Sequence, residues 1–366
     1  MLVNNFISII IPTRNRVIVL EKFLHSLTNQ TLNYNNYETI IIDNGSKDGT
    51  ASLVKQFTQI IPNLHYYFEP NPGLHSGRHR GLLESKGEIL VYADDDIQAL
   101  PTWLETIQKC FQENPDVVMV GGKNLPNFET EPPNWLLEMW KPNNLGEKML
   151  GYLSILDLGD KSKLISPYYI FGCNFAIRRS ILEEAGGFHP DGLPQELIKY
   201  RGDGESYVSS YVQREGYKAL YHPEASVYHW VSFKRMTLEY FCQRAYNQGI
   251  SDSYTQIRKK YRELNKQPTN DNFSSWQDKI KSIYQKIRSK SLRDLFRILL
   301  TKITKKSYDK NQPENELDEM QQQIALSYQE GFAYHQEQVE KDPQLLGWVL
   351  RPNYWDYQLP CYDDKD

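Results

Sequence analysis

Over its first 125 residues this chain alternates short apolar runs with stretches of helical periodicity, and that alternation limits the folds open to it. Phe6–Ile11 is β-branched and apolar and stops at Pro12. Val17–Thr28 places Val17, Leu20, Leu24 and Leu27 at helical spacing. Tyr37–Ile42 repeats the strand pattern and ends at Asp43. The turn after it holds Ser46 and Asp48, either of which can cap a helix over Thr50–Ile60. Leu64–Phe68, Glu88–Ala93 and Val117–Gly121 read as further strands, with helices over Ser76–Ser85 and Pro101–Glu113 between them. Strands that are apolar on both faces and joined through helices belong to a mostly parallel sheet covered on both sides, a Rossmann-like α/β arrangement. Such sheets bind ligands outside the carboxyl ends of their strands, where the strand order reverses. Asp43 and the triple Asp94-Asp95-Asp96 both follow strand ends, so they are expected in one crevice.

Three adjacent carboxylates repel one another, and near a sheet they need a cation or strong donors. Oxygen ligands of this kind suit Mg²⁺ or Mn²⁺, which usually share them with a phosphate. The turn after the first strand reads Pro12-Thr13-Arg14-Asn15-Arg16, without the Gly-x-Gly-x-x-Gly of dinucleotide-binding sheets, and no Walker loop occurs. Net charge is −4, which gives no electrostatic footprint for nucleic acid. The four cysteines lie far apart without metal-ligand or redox spacing, which fits a reduced intracellular setting. The amino terminus lacks a basic leader pattern and no apolar run is long enough to span a bilayer. A cytoplasmic location is therefore expected, with room for peripheral contact with the inner membrane face.

From about residue 125 the pattern loosens. Residues 126–142 hold four prolines with Trp135 and Trp140, as expected of a long loop over a pocket. Strands are expected at Tyr168–Arg178, Tyr217–Tyr221 and Ala225–Trp230, and helices at Ser180–Ala185 and Ser206–Arg214. The domain reading is 1–250, divided at 125/126 into a nucleotide-binding half and a half for the acceptor and catalytic base, then a helical extension over 251–366. The extension is first basic and then acidic. Leu292, Leu295, Phe296, Leu299, Leu300 and Ile303 form an apolar stripe within a basic stretch. Such a helix, over 279–306, either lies on an anionic membrane or packs back on the protein. A further helix is expected over Glu316–Lys341.

Four segments, in order, resemble the family 2 glycosyltransferases of GT-A fold. They are Ser8-Ile-Ile-Ile-Pro12-Thr-Arg-Asn15-Arg, Ile42-Asp43-Asn-Gly45-Ser46-Lys-Asp48-Gly49-Thr50, Asn71-Pro-Gly73 leading to Gly77-Arg78-His79-Arg-Gly81, and Gly87-Glu88 through Asp94-Asp95-Asp96. Each is weak alone and the set is specific; it covers about residues 5–235. The resemblance implies a nucleotide-sugar donor, a divalent metal and inversion at the anomeric carbon, in the synthesis of cell-surface polysaccharide. The acceptor it implies is a hydroxyl of a glycan or lipid-linked saccharide.

By the same resemblance, Asp43 accepts a ring N–H of the base, with UDP the expected nucleotide, and Pro12, Thr13 and Arg14 shape the loop beside it. Arg78 faces base or phosphates, although Gly77 and His79 replace the family's alanine and asparagine. Asp94 is expected at ribose hydroxyls or a metal-bound water, Asp96 as a direct metal ligand, and Asp95 as support. The catalytic base is sought in Gly202-Asp203-Gly204-Glu205. Counting back from Gly216-Tyr217 selects Glu205, whereas counting forward from Gly202 selects Asp203. The helix-end spacing favours Glu205 and leaves Asp203 as a supporting carboxylate. Gly172 allows close backbone approach and Asn174 is expected at the transferred sugar or acceptor. Trp135 is a candidate stacking surface for the acceptor. His189 stands where the family commonly has an acid. His229 is either a metal ligand or a structural histidine of an apolar strand. Two rivals are a non-catalytic glycan-binding or scaffold protein, which predicts a degraded acid set, and a sugar-phosphate nucleotidyltransferase, which needs a glycine-rich signature after the first strand.

Overall fold

The computed structural model describes residues 5–266, 316–356 and 359. Two compact units emerge. Among the described residues the first comprises 5–194, 204–236, 352–356 and 359, and the second 195–203, 237–266 and 316–351. The sequence boundary at 250 falls inside a helix of the second unit, Leu238–Lys266.

The first unit opens with β1 (Ile7–Thr13), α1 (Val17–Leu27), β2 (Tyr37–Asp43), α2 (Thr50–Phe57), β3 (Leu64–Phe68), α3 (Leu74–Glu84) and β4 (Ile89–Ala93). β1, β2 and β4 are buried along their whole length, as their apolar runs require. β1 pairs in parallel with β2 on one side and β4 on the other, with Thr13 opposite Asp43. The chain thus leaves β1 in one direction and returns to its other side, which creates the switch point above β1 and β4. Gly77 and Gly81 let α3 lie close to β1. A Cβ on Gly81 would stand 2.2 Å from Ile10 Cγ2, and one on Gly77 would stand 2.9 Å from Pro12 Cβ. Glycine in place of the family alanine at 77 is thus a packing requirement.

β5 (Ile97–Ala99) follows the aspartates directly, then α4 (Trp103–Glu113), β6 (Val117–Gly121), β7 (Asn124–Phe128), α5 (Asn134–Met139), β8 (Lys148–Leu150), β9 (Ile155–Asp157) and β10 (Lys163–Ile165). β11 (Asn174–Arg178), α6 (Arg179–Ala185), α7 (Glu205–Arg214), β12 (Lys218–Tyr221) and β13 (Val227–Val231) complete the elements of the unit. Among the described residues the main sheet has eight strands in the order β10-β12-β6-β11-β4-β1-β2-β3. It is mixed, because β11 inserts antiparallel between β4 and β6. Helices cover both faces. Phe23, Val54 and Ile107 of α1, α2 and α4 pack into one core, and Leu82, Leu182 and Val208 of α3, α6 and α7 into the other.

Two features depart from the sequence expectation. The stretch Tyr168–Arg178 is a 3-10 turn at Pro167–Tyr169 followed by the shorter β11, since Gly172 interrupts the run. A second sheet, β5-β13-β7-β9-β8, is assembled from strands of three to five residues; β13 answers the strand expected at Ala225–Trp230, and the other four are too short to carry a periodic signal of their own.

The second unit contains α8 (Leu238–Lys266), α9 (Glu316–Lys341) and α10 (Pro343–Val349). α8 and α9 meet closely at two glycines. A Cβ on Gly249 would lie 2.1 Å from the Tyr328 carbonyl oxygen, and one on Gly331 2.0 Å from that of Tyr246. The stripe Leu292–Ile303 and the stretch 279–306 lie outside the described residues.

Candidate active site

The carboxyl ends of β1, β2 and β4 bring the anticipated acids together. Asp43 ends β2 and is buried; its carboxylate accepts the Ser46 backbone N–H at 2.7 Å and the Tyr66 hydroxyl at 2.7 Å. At the end of β1 the Thr13 hydroxyl donates to Asp95 at 2.7 Å. Pro12 is buried and Arg14 half-buried on the same loop.

The three aspartates do not share one environment. Asp96 is buried and ringed by nitrogen groups: Arg16 Nη2 at 2.6 Å, His229 Nε2 at 3.2 Å and Arg235 Nη1 at 3.3 Å. Burial alone would raise its pKa, but these neighbours outweigh it and hold the carboxyl below its ordinary range. Asp95 meets Arg16 at 3.2 Å, yet burial dominates and pushes its carboxyl up to about 7. Asp94 is one-third exposed and faces Arg78 at 3.9 Å; desolvation and the charge of Asp96 push it upward. The sequence reading found the acids and missed Arg16 and Arg235. Their one sequence signal is charge, since an uncompensated triple of aspartates requires cations nearby.

His229 reaches the triple through β5. That strand leaves Asp96 and pairs antiparallel with β13, where His229 stands opposite Ile97. The Trp230 N–H donates to the Asp96 carbonyl at 2.9 Å and fixes the register.

A second group forms where α3 faces α7. Arg78 is 2% exposed; its Nη1 lies 3.1 Å from Glu205 Oε2 and 3.6 Å from Asp191 Oδ2. Its guanidinium lies 5.1 Å from the Phe188 ring centre, within cation–π range. Burial works against the charge of Arg78, but Glu205, Asp191 and Asp94 outweigh it and raise its pKa. Glu205 is the first residue of α7, where the helix N-terminus favours a carboxylate. Gly172 permits the pairing. A Cβ there would stand 2.4 Å from Arg78 Nη2 and 3.0 Å from Glu205 Oε1. Asp191 escaped the sequence reading because its loop has no periodicity.

Three expectations find other placements. Asn174 is buried, and its amide is committed to Trp103 Nε1 at 2.9 Å, the Ala225 carbonyl at 2.9 Å and Asn124 at 3.2 Å. Both its donor hydrogens are used, so it braces β11 and has none to offer a sugar. Asp203 belongs to the second compact unit, where it accepts from the Thr255 hydroxyl at 2.7 Å. Trp135 stands half-buried on the short α5.

The departures at His79 and His189 have a common physical basis. His79 Nδ1 lies 3.1 Å from the Tyr354 carbonyl and its Nε2 accepts the Phe188 N–H at 2.9 Å. The Trp355 ring sits 4.4 Å from His79, and the Tyr354 ring 5.4 Å from His189, which stacks on Tyr207 at 3.6 Å. A segment distant in sequence thus fills the space behind Arg78. Burial pushes His79 down to about 3, so it is neutral at ordinary pH.

Residues 8–186 match glycosyl transferase family 2. Glycosyltransferase AglE of Haloferax volcanii is 29% identical over 53% of this chain and 57% of its own length. The glucosyl-dolichyl phosphate glucuronosyltransferase of the same organism is 24% identical over 60% of this chain and 67% of its own. The match thus spans little more than half of the first relative. Among solved structures, the mannosyltransferase PcManGT from Pyrobaculum calidifontis, in complex with GDP-Man and Mn²⁺, is 17% identical with a TM-score of 0.48 and covers 94% of this chain and 85% of its own. The stretch 8–186 belongs to glycosyl transferase family 2.

Proposed function

We propose that this family 2 chain is an inverting glycosyltransferase that moves a sugar from a nucleoside diphosphate, UDP by preference, to a hydroxyl of a glycan or lipid-linked saccharide. The observation that carries the reading is the span of Arg78. One buried guanidinium links Glu205 at 3.1 Å to the Asp94 end of the triple at 3.9 Å. A base and a donor-side acid cluster therefore share one wall of the crevice.

In this reading Glu205 takes the proton of the acceptor hydroxyl. The hydroxyl oxygen bonds to C1 of the sugar on the face opposite the leaving group. The bond from C1 to the phosphate oxygen breaks, and its electron pair leaves with the nucleoside diphosphate. Arg78 Nη1, 3.1 Å from Glu205 Oε2, holds the carboxylate in place at the crevice wall. Asp43 has a second lone pair on each oxygen beyond those used by Ser46 and Tyr66, and with these it accepts a ring N–H of the nucleotide base.

The donor set fits a divalent cation. Buried His229 Nδ1 has no hydrogen-bond partner, and Asp94 opens to solvent. Asp94, Asp96 and His229 would hold Mn²⁺ or Mg²⁺, which when bound offsets negative charge on the departing diphosphate.

A lipid-linked acceptor is supported by the dolichyl phosphate in the name of one relative. Among the described residues no helix is long and apolar enough to cross a membrane. Peripheral contact with the inner membrane face fits such an acceptor.

Release of nucleoside diphosphate from a panel of nucleotide sugars with Mn²⁺, with and without chelator, tests the reading. Glu205→Gln should lower transfer by about 10²–10⁴-fold while donor binding persists. Near-normal turnover in that variant would remove Glu205 from the base role. Asp203→Asn should leave turnover within about threefold, as a carboxylate outside the proton transfer would.

A further inference from the structure

The cation reading above names oxygen and nitrogen ligands, but a sulfur stands among them. Cys173 follows Gly172 and is 1% exposed. Its Sγ, one carboxylate oxygen of Asp94 and one ring nitrogen of His229 all lie within 4.8 Å of one another. Ligands bonded to one ion at about 2.0–2.3 Å can stand up to about 4.5 Å apart, so small side-chain rotations close the set. Cys173 is held there by its backbone, one residue before β11, which pairs Asn174 with Ala93 at the base of the triple. The thiol donates to the Ser154 carbonyl at 3.8 Å, a weak bond that coordination would replace.

A second observation points to a ligand at the same place. His229 is 1% exposed, yet its Nδ1 has no hydrogen-bond partner. Buried polar atoms of native proteins are ordinarily satisfied, and a bound ion is one way of satisfying such an atom.

We infer that Cys173 is a ligand of the cation in this crevice, making it a mixed oxygen, nitrogen and sulfur site rather than a purely hard one. This rests on the reading that the crevice binds a divalent ion. On coordination the thiol proton leaves to solvent and the sulfur lone pair forms the bond to the ion, with no change of oxidation state. Thiolate favours softer ions, so the site should take Cd²⁺, Zn²⁺ and Co²⁺ through a contact that Mg²⁺ does not use. Mg²⁺ keeps to oxygen ligands and several waters.

The test is metal binding by the full chain, with UDP or GDP present as probe, read by absorption and calorimetry. Co²⁺ on the wild-type chain should give a near-ultraviolet thiolate-to-cobalt charge-transfer band, and Cys173→Ser should remove it. Cd²⁺ affinity should fall at least about tenfold in Cys173→Ser, the scale seen when a ligand's support is lost, while Mg²⁺ affinity stays within about twofold. Cys173→Ala repeats the comparison with a smaller side chain. The wild-type spectrum needs no variant and is informative even if both variants fold poorly. A cobalt-bound wild type without the band, or a band that survives in Cys173→Ser, overturns the sulfur ligand and leaves the cation reading standing. If no divalent ion binds the wild type with either nucleotide, both fail together.

Discussion

Two arginines meet carboxylates at opposite flanks of the crevice, and they differ in a way that distance does not reveal. Arg16 makes the shorter contact, 2.6 Å to Asp96, but its side chain is 41% exposed. Arg78 lies 3.1 Å from Glu205 and is 2% exposed. Water reaches the cation of the first pair and screens it, although Asp96 itself is buried. It cannot reach the second cation, whose loss would leave Asp191 and Glu205 facing each other without compensation. Burial of the cation, not distance, separates the two sites.

The largest expected effect follows from that difference. Arg78→Ala should lower unfolding stability in denaturant titration by about 3–5 kcal/mol, the cost of stranding buried charge. A loss below about 1 kcal/mol would break the comparison by showing that the acids there reach solvent. Gly172→Ala sharpens it. The added methyl must displace Arg78 Nη2 or Glu205 Oε1, so stability should fall by about 1–3 kcal/mol and transfer should fall with it. Normal transfer by the alanine variant would mean that the pair tolerates displacement.

A pH experiment tests the packing behind Arg78. His79 has a folded-state pKa of about 3, so below pH 6.5 the unfolded chain binds a proton that the folded chain refuses. Its contribution is therefore complete above pH 6.5 and is lost as the pH falls toward 3. Between pH 6.5 and 4 the wild type should lose stability more steeply than His79→Asn, by up to about 1.4 kcal/mol per pH unit. Parallel pH profiles for the two proteins would remove His79 from the acid limb. The smallest effect belongs to Arg16→Ala, with a loss of about 1 kcal/mol or less by thermal melting, because the Arg16 cation is solvent-exposed and Arg235 still faces Asp96. A loss as large as that of Arg78→Ala would mean that the Arg16 flank is dry as well.

Much of the first flank was legible from sequence. The apolar runs that end at Thr13, Asp43 and Ala93 place their following residues on one sheet edge, whatever the rest of the chain does. Glu205 was legible because its distance to Gly216-Tyr217 is set by one helix. Arg16, Arg235, Asp191 and Cys173 were not. Each sits in a loop, a single 3-10 turn or beside a strand end, where no period reports which neighbour a side chain will meet. Asn174 shows the converse. Its place in a familiar segment suggested contact with a ligand, whereas packing committed its amide to Trp103, Asn124 and Ala225.

The sequence by itself determined the α/β class, the switch point above β1 and β4, and the acids at its rim. Those follow from local hydrophobic pattern and strand direction, which act over a few residues. Only the tertiary structure decided which of the three aspartates is neutralised and which is open. It brought His229 to Asp96 through a three-residue strand, seated a cysteine beside Asp94, and closed residues 354–355 over His79. Those outcomes depend on burial and on contacts between residues far apart in the chain, and no local pattern encodes them.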